Sequence, residues 1–174
     1  PIAIPSSWQP IPWHPQGYYF EQRPDFTSDP LFHAGAYYVQ EASSMFLYQV
    51  LTQVADLKQP LKILDLCAAP GGKSTLMLSL LNEQSFLVAN EVIRSRVQPL
   101  KQNLVKWGNP NMLLSNNDPA DFEFLEGYFD IVVVDAPCSG EGMFRKDEKA
   151  RNEWSPEQVT LCASRQNRIL DKAA

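Results

Sequence analysis

The stretch Lys62-Ile63-Leu64-Asp65-Leu66-Cys67-Ala68-Ala69-Pro70-Gly71-Gly72-Lys73-Ser74 decides the fold. Its first five residues carry an apolar run of strand length. Small residues and two glycines come next, which let the backbone approach a ligand closely. From Lys73 to Leu81 the pattern turns helical, so the free N–H groups of a helix start would point at that same turn.

The alternation repeats downstream. Phe86 to Ala89 reads as a strand. Arg94 to Trp107 reads as a helix, with Val97, Leu100, Leu104 and Trp107 on one face and Gly108 placed for a left-handed cap. Asn111 to Ser115 reads as a short strand and Asp130 to Val134 as a buried one. Ser155-Pro156-Glu157-Gln158 is a capping box with proline at the first helical position, opening a last helix. Upstream, Phe46, Leu47, Val50, Leu51 and Val54 fall at helical spacing and are expected to bury one face. Strands alternating with helices imply a parallel α/β sheet with helices on both faces. Such sheets bind ligands beyond the carboxyl ends of their strands.

Four features sit at four successive strand ends. Cys67 to Lys73 follows the first and Asn90-Glu91 the second. Asn116-Asn117-Asp118 follows the third and Asp135-Ala136-Pro137-Cys138-Ser139-Gly140-Glu141-Gly142 the fourth. An acidic residue after a second strand can accept both hydroxyls of a ribose. Each feature has a plainer reading as a glycine turn, a solvated end or an Asn-Asn-Asp turn. The fold, however, brings all four together. Gly72-Lys73-Ser74 also matches the end of a phosphate-binding P-loop, and Ile131 to Asp135 resembles an apolar strand ending in a magnesium-binding Asp. That loop needs glycine where Cys67 stands, and Pro70 removes an N–H from it.

The 174 residues are 44% hydrophobic and 20% charged, globular values for about one domain. No run approaches the roughly 18 apolar residues of a membrane span. Net charge is −5, distributed as −3, −2 and 0 over residues 1–60, 61–134 and 135–174. A free-standing nucleic-acid binder carries a basic face, which this balance does not show. Cys67, Cys138 and Cys162 form no C-x-x-C pair, and His14 and His33 read as structural. No metal site is expected, and a reducing, cytoplasmic setting is. Cys162 falls on a helix face with Val159, Gln166 and Ile169 and reads as a core thiol.

Residues 1–34 hold seven of the 14 prolines, interleaved with Trp8, Trp13, Tyr18, Tyr19, Phe20, Phe26 and Phe32. Proline keeps this segment extended or turn-rich, and the aromatics call for cover. It reads as a connector packed on the next domain, with contact to substrate as the alternative. Residues 35–60 read as a helical lead-in, and 61–174 as the N-terminal part of a catalytic domain. Without an initiator Met or a signal peptide, the chain reads as a piece of a longer protein.

Asp65-Leu66-Cys67-Ala68-Ala69-Pro70-Gly71-Gly72-Lys73-Ser74 followed by Asp135-Ala136-Pro137-Cys138-Ser139-Gly140-Glu141-Gly142 resembles the Sun-type family of RNA cytosine-5 methyltransferases. Gly35 to Ser44 is similar to the segment before that family's catalytic domain. Over about residues 10–174 the likeness points to the bacterial branch that modifies small-subunit ribosomal RNA. It implies a Rossmann-like S-adenosylmethionine-dependent methyltransferase fold, truncated after the fourth strand and its following helix. It also implies roles. Cys67, Ala68, Ala69, Pro70, Gly71, Gly72 and Lys73 would wrap the methionine part of S-adenosylmethionine. Glu91 would take the ribose, Asn117 and Asp118 the adenine, and Arg96 would join the cofactor site. Asp135 would lie between cofactor and target base.

In the resembled family a thiolate adds to carbon 6 of cytosine, which makes carbon 5 nucleophilic. Two cysteines serve there: one in the Asp-Ala-Pro-Cys motif, here Cys138, assisting release, and the attacking one in a later Thr-Cys motif. These 174 residues contain no Thr-Cys pair, so the nucleophile is expected outside them. Phe144, Arg145 and Lys146 are expected to contact RNA, most naturally ribosomal RNA; their plainer reading is a solvated basic turn. A different class stays open: a catalytically silent module that binds S-adenosylmethionine or serves ribosome assembly.

Overall fold

Proline sets the architecture of the N-terminal segment. In the computed structural model, which describes residues 4–20, 22–144 and 148–173, it forms only two-residue strands, turns and one short helix. Strands β1 (Gln9–Pro10) and β2 (Tyr18–Tyr19) pair antiparallel. Helix α1 (Pro30–His33) starts at Asp29, whose carboxylate accepts from Leu31 N at 2.9 Å. The segment packs on the helical lead-in. Ile11 is buried, Trp13 Nε1 donates to Ala42 O at 2.7 Å, and Gln49 Nε2 donates to Trp13 O at 3.0 Å.

The lead-in is a 3-10 turn (Ala42–Phe46) running into α2 (Leu47–Val54). Here the expected buried face is corrected. Leu51 is buried and Leu47 packs on the core, but Phe46, Val50 and Val54 are exposed, Val54 at 66%. The helix meets its neighbours along one line only, so half of its apolar stripe faces outward.

Strands β3 (Lys62–Asp65), β4 (Phe86–Asn90), β5 (Met112–Ser115) and β6 (Ile131–Val133) form one parallel sheet in the order β5-β4-β3-β6. Helix α3 (Gly72–Leu80) follows β3, and α4 (Arg94–Trp107) follows β4. A 3-10 helix (Pro119–Leu125) follows β5. After β6 come a 3-10 turn (Glu141–Met143), α5 (Glu148–Glu153) and α6 (Pro156–Ala173). Register alternates the two faces. Ile63, Leu87 and Ala89 pack with Leu51, Met77, Leu78, Leu100 and Leu104 beneath α2, α3 and α4. Leu64, Leu66 and Val88 pack with Ile169 of α6 on the other face.

Helix α4 has the expected limits. Gly108 closes it at φ +76, with its N–H bonded to Leu104 O, a cap that other residues adopt at a cost. Helix α6 opens where the capping box predicts, with Gln158 N donating to Ser155 Oγ at 3.3 Å. Cys162 is buried, as expected for a core thiol. The expectation of a buried last strand is corrected. β6 has one neighbour, β3, and all three of its residues keep solvent contact, Val132 at 36%. It is an edge strand among the described residues, since only β3 pairs with it, and on this face the α6 cluster takes in Leu64 and Val88 but not Val132 or Leu113.

Candidate cofactor and substrate site

The turn after β3 is held from three sides. Ala68 N donates to Asn90 O at 2.8 Å, which ties it to the end of β4. Arg96 Nη2 donates to Ala69 O at 2.7 Å, and Asn103 Nδ2 donates to Pro70 O at 2.8 Å, both from α4. Gly71 takes φ +111, and a Cβ there would lie 3.2 Å from Leu100 Cδ1. Gly72 serves close approach instead: a Cβ would lie 3.0 Å from Gln40 Oε1 and 3.2 Å from Tyr38 Cε1.

An open cavity of about 710 Å³ lies over this turn. Cys67, Ala68, Ala69, Pro70, Gly72 and Lys73 line one side, and Asp135 joins them from the end of β6. Lys73 Nζ and Asp135 Oδ2 form an ion pair across the two strand ends. Both long motifs of the sequence thus meet in one contact between residues 62 positions apart. Gly71 lies behind the wall, against α4.

The buried side of the turn carries its own network. Asp65 is fully buried and accepts from Ser74 Oγ at 2.6 Å, while its Oδ1 has no hydrogen-bond partner. Burial pushes its pKa up to about 6, against the pull of Ser74 and Lys73, with Asp135 adding to the rise. Burial also pushes the Cys67 thiol up to about 11, helped by the carboxylates of Glu91, Asp65 and Asp135. Cys67 is therefore a neutral thiol at ordinary pH and no nucleophile. Ser74, which a nucleotide-hydrolysing loop would present to a metal, is buried and committed to Asp65. The P-loop reading ends there.

Glu91 is 2% exposed and sits one layer behind the cavity. Its Oε1 accepts from Ile93 N at 2.9 Å. Its Oε2 lies 3.4 Å from Arg96 Nη1 yet makes no hydrogen bond. A buried carboxylate oxygen lacking a donor is what a ribose hydroxyl would satisfy. Together with the small-residue cradle over Gly72, this fits S-adenosylmethionine at the strand ends. Arg96 binds Glu91 to the turn and is not among the residues lining the cavity, so it positions the site.

Asn117 and Asp118 stand apart from the cavity. Asn90 fixes Asn117 through its side chain: Oδ1 accepts from Asn117 N at 3.0 Å and Nδ2 donates to Asn117 O at 3.0 Å. Asp118 caps the following 3-10 helix, accepting from Ala120 N at 3.1 Å, and its Oδ2 accepts from Arg168 Nη2 of α6 at 2.7 Å. Cys138 is exposed. Its loop is anchored by Gln166 Nε2, which donates to Pro137 O at 3.0 Å, and by Glu141, which accepts from Ser139 and from Trp154 Nε1. Phe144 O accepts from Arg151 Nε at 3.2 Å, while Arg145 and Lys146 lie outside the described residues. His14 rests its ring on Tyr48 and accepts from Gln16 N, and His33 meets Thr27 O.

Sequence reasoning gave no role to Arg23 and named Phe20 only among the aromatics of residues 1–34, and Tyr38 and Gln40 only within Gly35 to Ser44; all four line the cavity with the turn. The aromatic and proline interleaving of residues 1–34 was the available signal.

A parallel sheet with a small-residue turn, a buried acid behind it and an ion-paired aspartate at a third strand end defines a Rossmann-like S-adenosylmethionine-dependent methyltransferase domain. Solved structures agree. A methyltransferase homolog protein from Pyrococcus horikoshii superposes with TM-score 0.75 at 28% identity, over 95% of this chain and 51% of that one. NSun6 from the same organism, solved with SFG, gives 0.71 at 26%, over 87% and 38%. The family described as 16S rRNA methyltransferase RsmB/F matches residues 52–174, and the N-terminal domain of 16S rRNA methyltransferase RsmF matches residues 3–42. The chain belongs to the 16S rRNA methyltransferase RsmB/F family.

Ribosomal RNA small subunit methyltransferase F of Serratia proteamaculans is 40% identical over 169 residues, 95% of this chain and 35% of that protein. The protein of the same name from Cronobacter sakazakii is 40% identical over 179 residues, 98% and 37%. The chain thus spans about a third of the length of the curated relatives it matches. No helix of the described residues is long and apolar enough to cross a membrane.

Proposed function

We propose that this chain is the cofactor-binding part of an enzyme that methylates carbon 5 of a cytosine in small-subunit ribosomal RNA. The observation that carries the reading is the Lys73–Asp135 pair, which joins the cofactor turn to the Asp-Ala-Pro-Cys strand end at one cavity. S-adenosylmethionine, when bound, supplies an electrophilic methyl group. Ala68, Ala69, Pro70 and Gly72 would give it a close backbone approach, and Glu91 Oε2, beside Arg96 but without a hydrogen bond, would take a ribose hydroxyl. Asn117 and Asp118 would take the adenine, with Arg168 already holding Asp118 in place. Asp135, half-exposed beside Lys73, would meet the target base.

Carbon 5 of cytosine attacks only after a thiolate adds to carbon 6; the carbon 5 proton then leaves to a base and the thiolate is expelled. The family pattern gives the attacking thiolate to a Thr-Cys motif outside these residues. Cys138 supplies the exposed thiol for the release step. Cys67, a half-buried thiol in the cavity wall, would face the cofactor and is not the attacking group. The base is reached unpaired or flipped from its stack.

The test is transfer of a labelled methyl group from S-adenosylmethionine to small ribosomal subunits by the intact natural protein, with the product mapped. A single 5-methylcytosine, lost in Cys138→Ala or accumulating there as a protein–RNA adduct, supports the reading. Label on protein, on uridine or nowhere would refute it.

A further inference from the structure

The wall opposite the cofactor turn is built by the N-terminal segment, and the methyltransferase reading gives it no task. Phe20 and Arg23 reach the same cavity as Lys73 and Asp135, with Tyr38 and Gln40 beside them. The two walls differ in chemistry. The turn offers backbone groups, small side chains and the paired Lys73, whereas the other wall offers rings, an amide, the Arg23 guanidinium and the Glu41 carboxylate.

Arg23 is exposed and lies 4.9 Å over the Phe26 ring, and it pairs with no carboxylate among the described residues. An unpaired cation at a cavity stands out in a chain of net charge −5. Phe20 is half-buried, braced by the Trp8 ring at 5.8 Å. The wall is fixed from behind. Trp13 bonds to Ala42 and Gln49. Lys106 Nζ of α4 sits 3.7 Å over Phe32. Gly35 packs so closely on Lys106 O that a Cβ would lie 1.9 Å from it. These contacts fix the segment, while Phe20 itself rests on Trp8 and Arg23 on Phe26.

We propose that Phe20 and Arg23 form the RNA-facing wall of the site: the Phe20 ring stacks a base of a single-stranded segment, and Arg23 pairs with an adjoining phosphate. The proposal rests on the methyltransferase reading. Stacking tolerates any base, and a phosphate contact carries no sequence information. The wall therefore holds and orients the strand and does not choose the base.

The test uses the intact natural protein, a short fluorescent oligocytidylate as probe, and S-adenosylmethionine in a separate titration. Phe20→Leu is expected to weaken oligonucleotide binding about tenfold, while Phe20→Trp restores it. Arg23→Gln is expected to flatten the slope of log affinity against log salt by about 0.7, with Arg23→Lys retaining it. Affinity for S-adenosylmethionine is expected to stay within about twofold in all four variants. Thermal melts check folding, and Phe20→Trp keeps the stacking arm readable if Phe20→Leu melts early. If Arg23→Gln weakens S-adenosylmethionine and leaves the salt slope alone, Arg23 serves the cofactor and the proposal falls. It falls equally if neither ligand notices the variants. Failure of the unaltered protein to bind S-adenosylmethionine would sink the methyltransferase reading instead, leaving the oligonucleotide result to be read by itself.

Discussion

The turn after β3 and the loop after β6 carry the two long motifs, and the structure treats them differently. The first is enclosed: α4 holds two of its carbonyls, Asn90 holds Ala68, and Gly71 packs on Leu100. The second leaves an edge strand, keeps Cys138 exposed, and turns through Gly140 at φ +84 with nothing within 4 Å of an added Cβ. A cofactor cradle gains from being preformed, since every hydrogen bond it must make is already aimed. A loop held by fewer contacts can adjust when a nucleotide arrives. One ion pair, Lys73–Asp135, links the two.

Glycine substitutions separate them most strongly. Gly71→Ala meets both an unfavourable φ and Leu100, and is expected to cost about 2–3 kcal/mol. Gly140→Ala meets only the backbone, at about 1 kcal/mol. Urea unfolding of both variants measures the gap; equal costs would mean that the turn is no more enclosed than the loop.

The next effect is on pH dependence. Asp65 is raised from 3.8 to about 6, so the folded state holds its proton more tightly than the unfolded one. Stability from this group is then greatest below pH 3.8 and falls as pH rises toward 6, with the full penalty above. Asp65→Asn keeps an acceptor for Ser74 and removes the charge. It is expected to stabilise the protein by about 1–3 kcal/mol at about pH 7.5 and hardly at all at about pH 4. A variant less stable than the parent at the higher pH would show that the carboxylate is needed as a charge beside Lys73. Smallest is a difference in thiol labelling. Cys138 is expected to react with a maleimide at neutral pH well before Cys67, whose thiol burial raises to about 11. Peptide mapping at short times reads the order, and equal rates would mean that the turn opens freely.

The fold was legible where local chemistry and burial agree. Helix α4 was readable because Leu100 and Leu104 mark its buried line and Gly108 ends it. The stripe Phe46, Val50 and Val54 misled, since period shows which residues share a face and not whether anything covers that face. β6 keeps more solvent contact than its apolar run suggests, because it is the last of four strands and only β3 pairs with it among the described residues. At the site, motif spacing located the turn and Asp135. The partners that define their setting lie far away in sequence. Arg168 reaches Asp118 across 50 positions, and Phe20 and Arg23 reach the cavity from a segment with no motif of its own. The assignment of Asp65 and Ser74 to a buried pair needed the geometry, because the same letters also spell the end of a P-loop.

The most direct measurement is a calorimetric titration with S-adenosylmethionine, with ATP plus magnesium as control. Saturable one-to-one binding of S-adenosylmethionine is predicted, weakened at least about tenfold by Glu91→Ala, with no heat from ATP and magnesium. Binding of ATP and magnesium, or no binding of S-adenosylmethionine by a chain whose circular dichroism shows it folded, would contradict the assignment of the strand ends.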